Sequence, residues 1–99
     1  MPVHFLPAAR DEFLAAADFY ERQASGLGRD FIAEVERNLA LLAANPEIGA
    51  PWHYQTRRLP MRRFPFNIVH QLHADQLVIV AVAHQSRRPG YWRTRISTT

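Results

Sequence analysis

The residues best suited to chemistry lie around the end of the most apolar segment of the chain. His84 follows an unbroken apolar run at 77–83, Arg87 and Tyr91 come soon after it, and Arg63 precedes that run. Cleavage of RNA without a metal needs a general base, a general acid and cations for the charged phosphorane. His84, Tyr91 and the arginines could supply these groups. Because histidine is often a half-buried residue hydrogen-bonded to its own chain, a structural role for His84 stays open.

The segment after His84 is both cationic and aromatic. Five of its residues are predicted to bind a target: Arg87, Arg88, Tyr91, Trp92 and Arg93. Arginine holds phosphates or an acidic peptide segment, and aromatic rings stack on bases. Two alternatives stay open, namely that the arginine pair belongs to a solvated turn and that the rings pack this segment against a sheet.

The charge of the chain is divided unevenly between its two halves. Residues 1–50 contain eight acidic residues and four arginines, a balance of −4, whereas residues 51–99 contain eight arginines and one aspartate, a balance of +7. A basic half suggests one positive face, suited to phosphate or to an acidic protein segment.

Several classes of function are disfavoured by composition. The chain has no cysteine, which excludes disulfides and thiolate chemistry and is in keeping with a cytoplasmic protein. No apolar run is long enough for a membrane span, and no signal peptide is expected. The histidines lack the spacing of a zinc motif and no glycine-rich phosphate loop is present, so neither a metal nor another cofactor is expected.

Hydrophobic periodicity and turn residues predict two helices and four strands in one domain, residues 1–99. The helices cover 8–23 and 27–44, and the short link between them favours an antiparallel hairpin. The strands are predicted at 3–6, 57–61, 64–72 and 77–83.

The expected arrangement of these elements is α+β in two layers, in the order β-α-α-β-β-β. The last three strands form an antiparallel meander. The apolar run 77–83 should be central, with the first strand as its neighbour. Pro60 predicts that the strand at 57–61 lies at an edge, and residues 46–56 are expected to form an irregular loop.

These pieces together resemble the RelE/ParE toxin superfamily of bacterial type II toxin–antitoxin systems, and more closely its ParE-like members. The resemblance rests on short motifs in a fixed order: Pro7-Ala8-Ala9, Ala17-Asp18-Phe19-Tyr20-Glu21, Gly26-Leu27-Gly28, Phe31 with Glu34-Val35-Glu36, Asn45-Pro46 with Gly49, Arg63-Phe64-Pro65-Phe66-Asn67-Ile68-Val69, Val82-Ala83-His84 and Arg87-Arg88-Pro89-Gly90-Tyr91-Trp92. The resemblance implies a small sheet with a helical hairpin and a cognate antitoxin whose acidic C-terminal segment wraps the toxin.

The resemblance leaves two activities open. ParE-like members are described as inhibitors of DNA gyrase that act by binding, whereas RelE-like members cleave mRNA on the ribosome. Under the second activity the catalytic residues would be His84, Arg63, Arg87 and Tyr91, although the chain has no lysine, which is one member of the usual RelE set. The antitoxin is expected to contact the following residues: Leu14, Phe19, Leu41, Arg57 and Arg62.

Overall fold

A computed structural model of the chain describes residues 1–96, which form a five-stranded sheet with a helical hairpin on one face. The elements are β1 (Val3–Phe5), α1 (Pro7–Gln23), α2 (Leu27–Ala44), β2 (Ala50–Trp52), β3 (Thr56–Pro60), β4 (Phe66–His73) and β5 (Gln76–His84). The predicted α+β class and the order of helices and long strands are confirmed. None of the helices in residues 1–96 is both long and apolar enough to cross a membrane.

The two helices approach each other closely near the turn that joins them. Pro7 begins α1, where its missing N–H is harmless. Gly26, with φ of 86°, turns the chain between the helices. The Glu21 carboxylate accepts hydrogen bonds from the N–H groups of Gly26 and Gly28 at 2.9 and 3.1 Å. A Cβ at Gly28 would lie 2.5 Å from the Ala17 carbonyl oxygen, so the two helices approach here because this residue is glycine.

Strand β5 is an inner strand, as its apolar sequence predicts, and it lies between β1 and β4. The sheet order is β1-β5-β4-β3-β2, with β1 parallel to β5 and every other pair antiparallel. Helix residues Phe31, Val35 and Leu42 pack with Ile68 and Ile79 of the sheet in the main core. A smaller apolar cluster lies on the other sheet face, covered by the residues that follow β5.

The prediction that residues 46–56 form an irregular loop is wrong at one point. Residues Ala50–Trp52 form β2, which pairs antiparallel with Thr56–Arg58 of β3. Strand β3 is therefore an inner strand rather than the predicted edge. Pro60 is tolerated because it lies at the last position of β3, beyond the three residues that β2 covers. Pro51 sits in the true edge strand, a position that accepts proline.

Candidate functional site

The C-terminal segment, defined here as residues 85–96, folds back over the sheet from the end of β5. It turns at once, because the Arg87 N–H donates to the His84 carbonyl at 2.9 Å. Trp92 then enters the apolar cluster beside Val69 and Val80 and is only 2% exposed. A buried indole thus fixes the basic segment in place.

A groove of about 390 Å³ lies between α1 and the end of β5. His84, Arg87 and Tyr91 line one side, and Phe19 and Tyr20 of α1 line the other. The structure therefore brings three of the four predicted catalytic residues together. The fourth, Arg63, is not among the residues that line this groove; its guanidinium is 3.5 Å from the Asp30 carboxylate.

Glu12 connects α1, β5 and the C-terminal segment. Its carboxylate accepts hydrogen bonds from the Tyr91 hydroxyl at 2.6 Å, from both terminal nitrogens of Arg95 at 2.8 and 2.9 Å, and from the Val82 N–H at 3.0 Å. Strand β1 ends at Phe5, so β5 has no strand partner on this side beyond Ile79. Glu12 accepts the Val82 N–H, which is one of the donors of that open edge.

Arg95 provides a hydrogen bond to the same open edge of β5, because its guanidinium also donates to the Val80 carbonyl at 3.2 Å. The hydrogen bonds to Glu12 raise the pKa of Arg95. Burial, and then the hydrogen bond to Glu12, raise the pKa of Tyr91. The sequence analysis missed Glu12, although a signal exists: it lies on the α1 stripe that contains buried Ala9 and Ala16.

The groove is poorly arranged for RNA cleavage. The Tyr91 hydroxyl is held by an acceptor and has a raised pKa, so Tyr91 is a poor general base near neutral pH. The His84 Nδ1 is engaged by Ser86, whose N–H and hydroxyl lie 3.0 and 2.7 Å away. The contact joins His84 to its own turn, and the His84 side chain is exposed.

The five residues predicted to bind a target differ in their exposure. Arg87 is exposed and stacks on the Tyr91 ring at 3.9 Å, and Arg88 and Arg93 are also exposed. Trp92 is a correction, because its side chain is buried between the C-terminal segment and the sheet and presents no ring face to a partner. The available recognition surface is therefore arginine, with Tyr91 half-buried behind it.

The residues predicted to contact an antitoxin are mostly exposed. Leu14, Phe19 and Leu41 leave 47%, 57% and 45% of their surface in solvent. Arg62 is exposed, whereas Arg57 is half-buried and donates to the Gly49 carbonyl at 3.0 Å.

A second carboxylate that the sequence analysis missed supports the loop before β4. Glu34 is 5% exposed, and it accepts the Arg62 N–H at 2.6 Å and the Arg63 N–H at 3.3 Å. It lies beside Val35 on the buried stripe of α2, so the position of an acid on an apolar helix face was again the available signal. Among residues 1–96, no group of three histidine, cysteine, aspartate or glutamate side chains is placed to hold a metal ion.

Comparisons with known proteins agree with this fold. A family model described as ParE toxin of type II toxin-antitoxin system, parDE, matches residues 3–89. A chain from a solved structure described as the chromosomal ParDE TA system from P. aeruginosa matches with a TM-score of 0.72 and 19% identity, over 85% of this chain and 95% of that chain. At this identity the structural match shows a shared fold. No curated protein matches the chain.

Proposed function

The chain belongs to the ParE toxin family of type II toxin–antitoxin systems, and on that premise we propose that it inhibits DNA gyrase by binding, with no catalytic residue of its own. Its general role is that of the toxin in such a system, and its partner there is an antitoxin. Gyrase is proposed as the target because the family resemblance implies it.

The observation that carries a binding mechanism is the state of Tyr91. Its hydroxyl is bound to Glu12 at 2.6 Å in a network that also holds Arg95, so this hydroxyl is used to fix the C-terminal segment. Arg63, which a nuclease would need beside His84, lies instead within 3.5 Å of Asp30. These contacts support recognition by a rigid surface rather than acid–base chemistry.

The surface proposed for the target consists of exposed arginines on the C-terminal segment. Arg87, Arg88 and Arg93 have no carboxylate within salt-bridge distance in the described part of the chain. Exposed guanidinium groups suit an acidic protein surface, for which they supply both steering and hydrogen bonds. The antitoxin is proposed to cover the exposed apolar residues Leu14, Phe19 and Leu41, with its acidic residues near Arg57 and Arg62.

The test is a pair of assays on toxin freed of its antitoxin. One measures supercoiling by gyrase and trapped cleavage complex, and the other measures mRNA cleavage during translation. We expect gyrase inhibition with intact mRNA. Arg87→Ala should weaken inhibition about tenfold, as expected for loss of a hydrogen bond to a charged group, whereas the exposed helical control Arg37→Ala should not.

His84→Ala separates the two activities. Under the binding mechanism this variant keeps gyrase inhibition, provided that circular dichroism shows the native fold. The proposal would be overturned if the toxin cleaved mRNA and left gyrase unaffected, and if a folded His84→Ala variant no longer cleaved mRNA.

A further inference from the structure

A second cavity, of about 300 Å³, lies on the sheet face opposite the helices. Its floor is one row across three strands, because Pro60 pairs with Asn67 and Asn67 pairs with Ala83. The small side chain of Ala83 leaves room above the sheet. Trp52 from β2 and Trp92 from the C-terminal segment are among the other residues that line it. This cavity, called the indole pocket below, is separate from the groove beside α1, although His84 and Arg87 lie at the rim of both.

Three buried polar atoms without hydrogen-bond partners belong to residues that line the indole pocket. They are Nε of Arg58, Oδ1 of Asn67 and Nε1 of Trp92. Asn67 and Trp92 are 8% and 2% exposed, so bulk water does not reach them freely. Buried polar atoms are normally paired, so three unpaired ones on residues of a single cavity make this cavity a candidate site for a ligand or for bound waters.

The chemistry of the lining favours an anion. The Arg58 guanidinium stacks on the Trp52 ring at 3.8 Å, which leaves its edge as the hydrogen-bonding side. No carboxylate lies within salt-bridge distance of Arg58 among residues 1–96, and no acidic residue lines the pocket. The indole N–H of Trp92 is a donor only. The Asn67 amide offers its oxygen as placed, and its NH₂ group after a half-turn.

We propose that the indole pocket binds the phosphate group of a nucleotide, either free or as one unit of a strand. Its potential donors come from three separate elements: Arg58 on β3, Asn67 on β4 and Trp92 on the C-terminal segment. A tetrahedral phosphate directs its four oxygens out of a single plane, with three terminal oxygens in a free nucleotide and two terminal plus two bridging oxygens in a strand. The two oxygens of a carboxylate lie in one plane. The pocket, at about 300 Å³, is larger than phosphate alone and has room for more of a nucleotide.

Intrinsic fluorescence reports on this pocket directly, because the chain has two tryptophans and both line it. The full-length toxin is titrated with guanosine monophosphate, with guanosine, with a short single-stranded oligonucleotide and with an aspartate-rich peptide. Sodium chloride at matched ionic strength serves as the salt control. Saturable quenching by guanosine monophosphate but not by guanosine is expected. Tighter binding of the oligonucleotide would identify a strand as the source of the phosphate, and equal or weaker binding would identify the free nucleotide.

Variants place the binding in the pocket. Asn67→Asp keeps the size of the side chain but adds a negative charge, and it should weaken nucleotide binding about tenfold or more. Arg58→Met keeps an unbranched chain over Trp52 and should act similarly. An exposed arginine of α2 gives the control Arg37→Ala, which should bind as the native protein does.

A third variant protects the test against a misfolded mutant. Ala83→Val fills the floor of the pocket without removing a polar group, and circular dichroism shows whether each variant is folded. The proposal is overturned by quenching that does not saturate, by quenching that sodium chloride or guanosine reproduces, by saturation with the acidic peptide alone, or by folded variants of Asn67 and Ala83 that bind normally. Saturation with the acidic peptide alone would make a carboxylate the ligand, and the absence of any saturable quenching would leave bound water as the occupant.

Discussion

Replacing Glu12 with glutamine should destabilise the protein far more than replacing its exposed neighbours. The carboxylate receives four hydrogen bonds, of which two come from Arg95, one from Tyr91 and one from the Val82 N–H. Glutamine retains the shape but has one oxygen and no charge. The Arg95 guanidinium, with 19% side-chain exposure, then loses its only carboxylate within residues 1–96.

The expected loss of unfolding free energy is about 3 kcal/mol. Removing one partner of a buried ion pair costs about 3–5 kcal/mol, and the partial exposure of this pair places it at the lower end. For a domain of this size each kcal/mol shifts Tm by about 4–8 °C, so Tm should fall by about 15 °C. Urea denaturation followed by circular dichroism measures the change. The Val82 amide should also exchange faster with solvent, because its acceptor is weakened.

The matched control is Asp11→Asn, one residue away on the exposed side of α1, which should change stability by less than about 0.5 kcal/mol. A double-mutant cycle of Glu12→Gln with Tyr91→Phe should give a coupling energy of about 1 kcal/mol. If Glu12→Gln lost less than about 1 kcal/mol, or if the Asp11 control lost as much, the network would not hold the C-terminal segment as argued.

Three further predictions concern pH, helix packing and antitoxin binding. Burial, and then the charge of Arg57, lower the pKa of His70 to about 4. The unfolded chain therefore binds the proton more readily, and the free energy of unfolding should fall by about 3 kcal/mol as pH falls from 6.5 to 4. A His70→Leu variant should lack this pH dependence in urea denaturation curves. Gly28→Ala should cost about 1–3 kcal/mol in urea, because its Cβ would meet the Ala17 carbonyl, and an unchanged midpoint would contradict the close approach of the helices. Phe19→Glu should weaken binding of the purified antitoxin about tenfold or more in calorimetry, whereas Leu72→Glu, on an apolar residue of similar exposure in β4, should not; equal effects would place the antitoxin elsewhere.

The sequence predicted the parts of this fold that local signals determine. The bounds of α2 at Leu27 and Ala44 are confirmed because Gly26 precedes it and Asn45-Pro46 follows it. The inner position of β5 is confirmed because a strand that is apolar on both faces must be covered on both. Strand β2 was missed because three residues containing a proline carry too little pattern to predict a strand.

The site was harder to predict, because its contacts join distant parts of the chain. Glu12 was not among the predicted site residues, and its partners lie 70 to 83 positions away. The sequence around Trp92 is the same whether its ring faces solvent or the sheet, so only the packed structure shows which of the two occurs. The resemblance to a toxin family covered the fold, and it did not reveal which groups hold the C-terminal segment.

The position of β5 has a consequence for the biosynthesis of this protein. Strand β5, an inner strand of the sheet, is synthesised after the other four strands, whereas its parallel neighbour β1 is synthesised first. Val3 therefore cannot pair until Leu77 has been synthesised. The helical hairpin depends on near-neighbour contacts and can form early, whereas the sheet requires slow long-range pairing. A nascent chain that stops before β5 therefore lacks the strand that joins β1 to β4, and it lacks the arginine surface that follows β5. We expect incomplete translation products to be harmless, so that growth inhibition begins only when synthesis has passed the C-terminal segment.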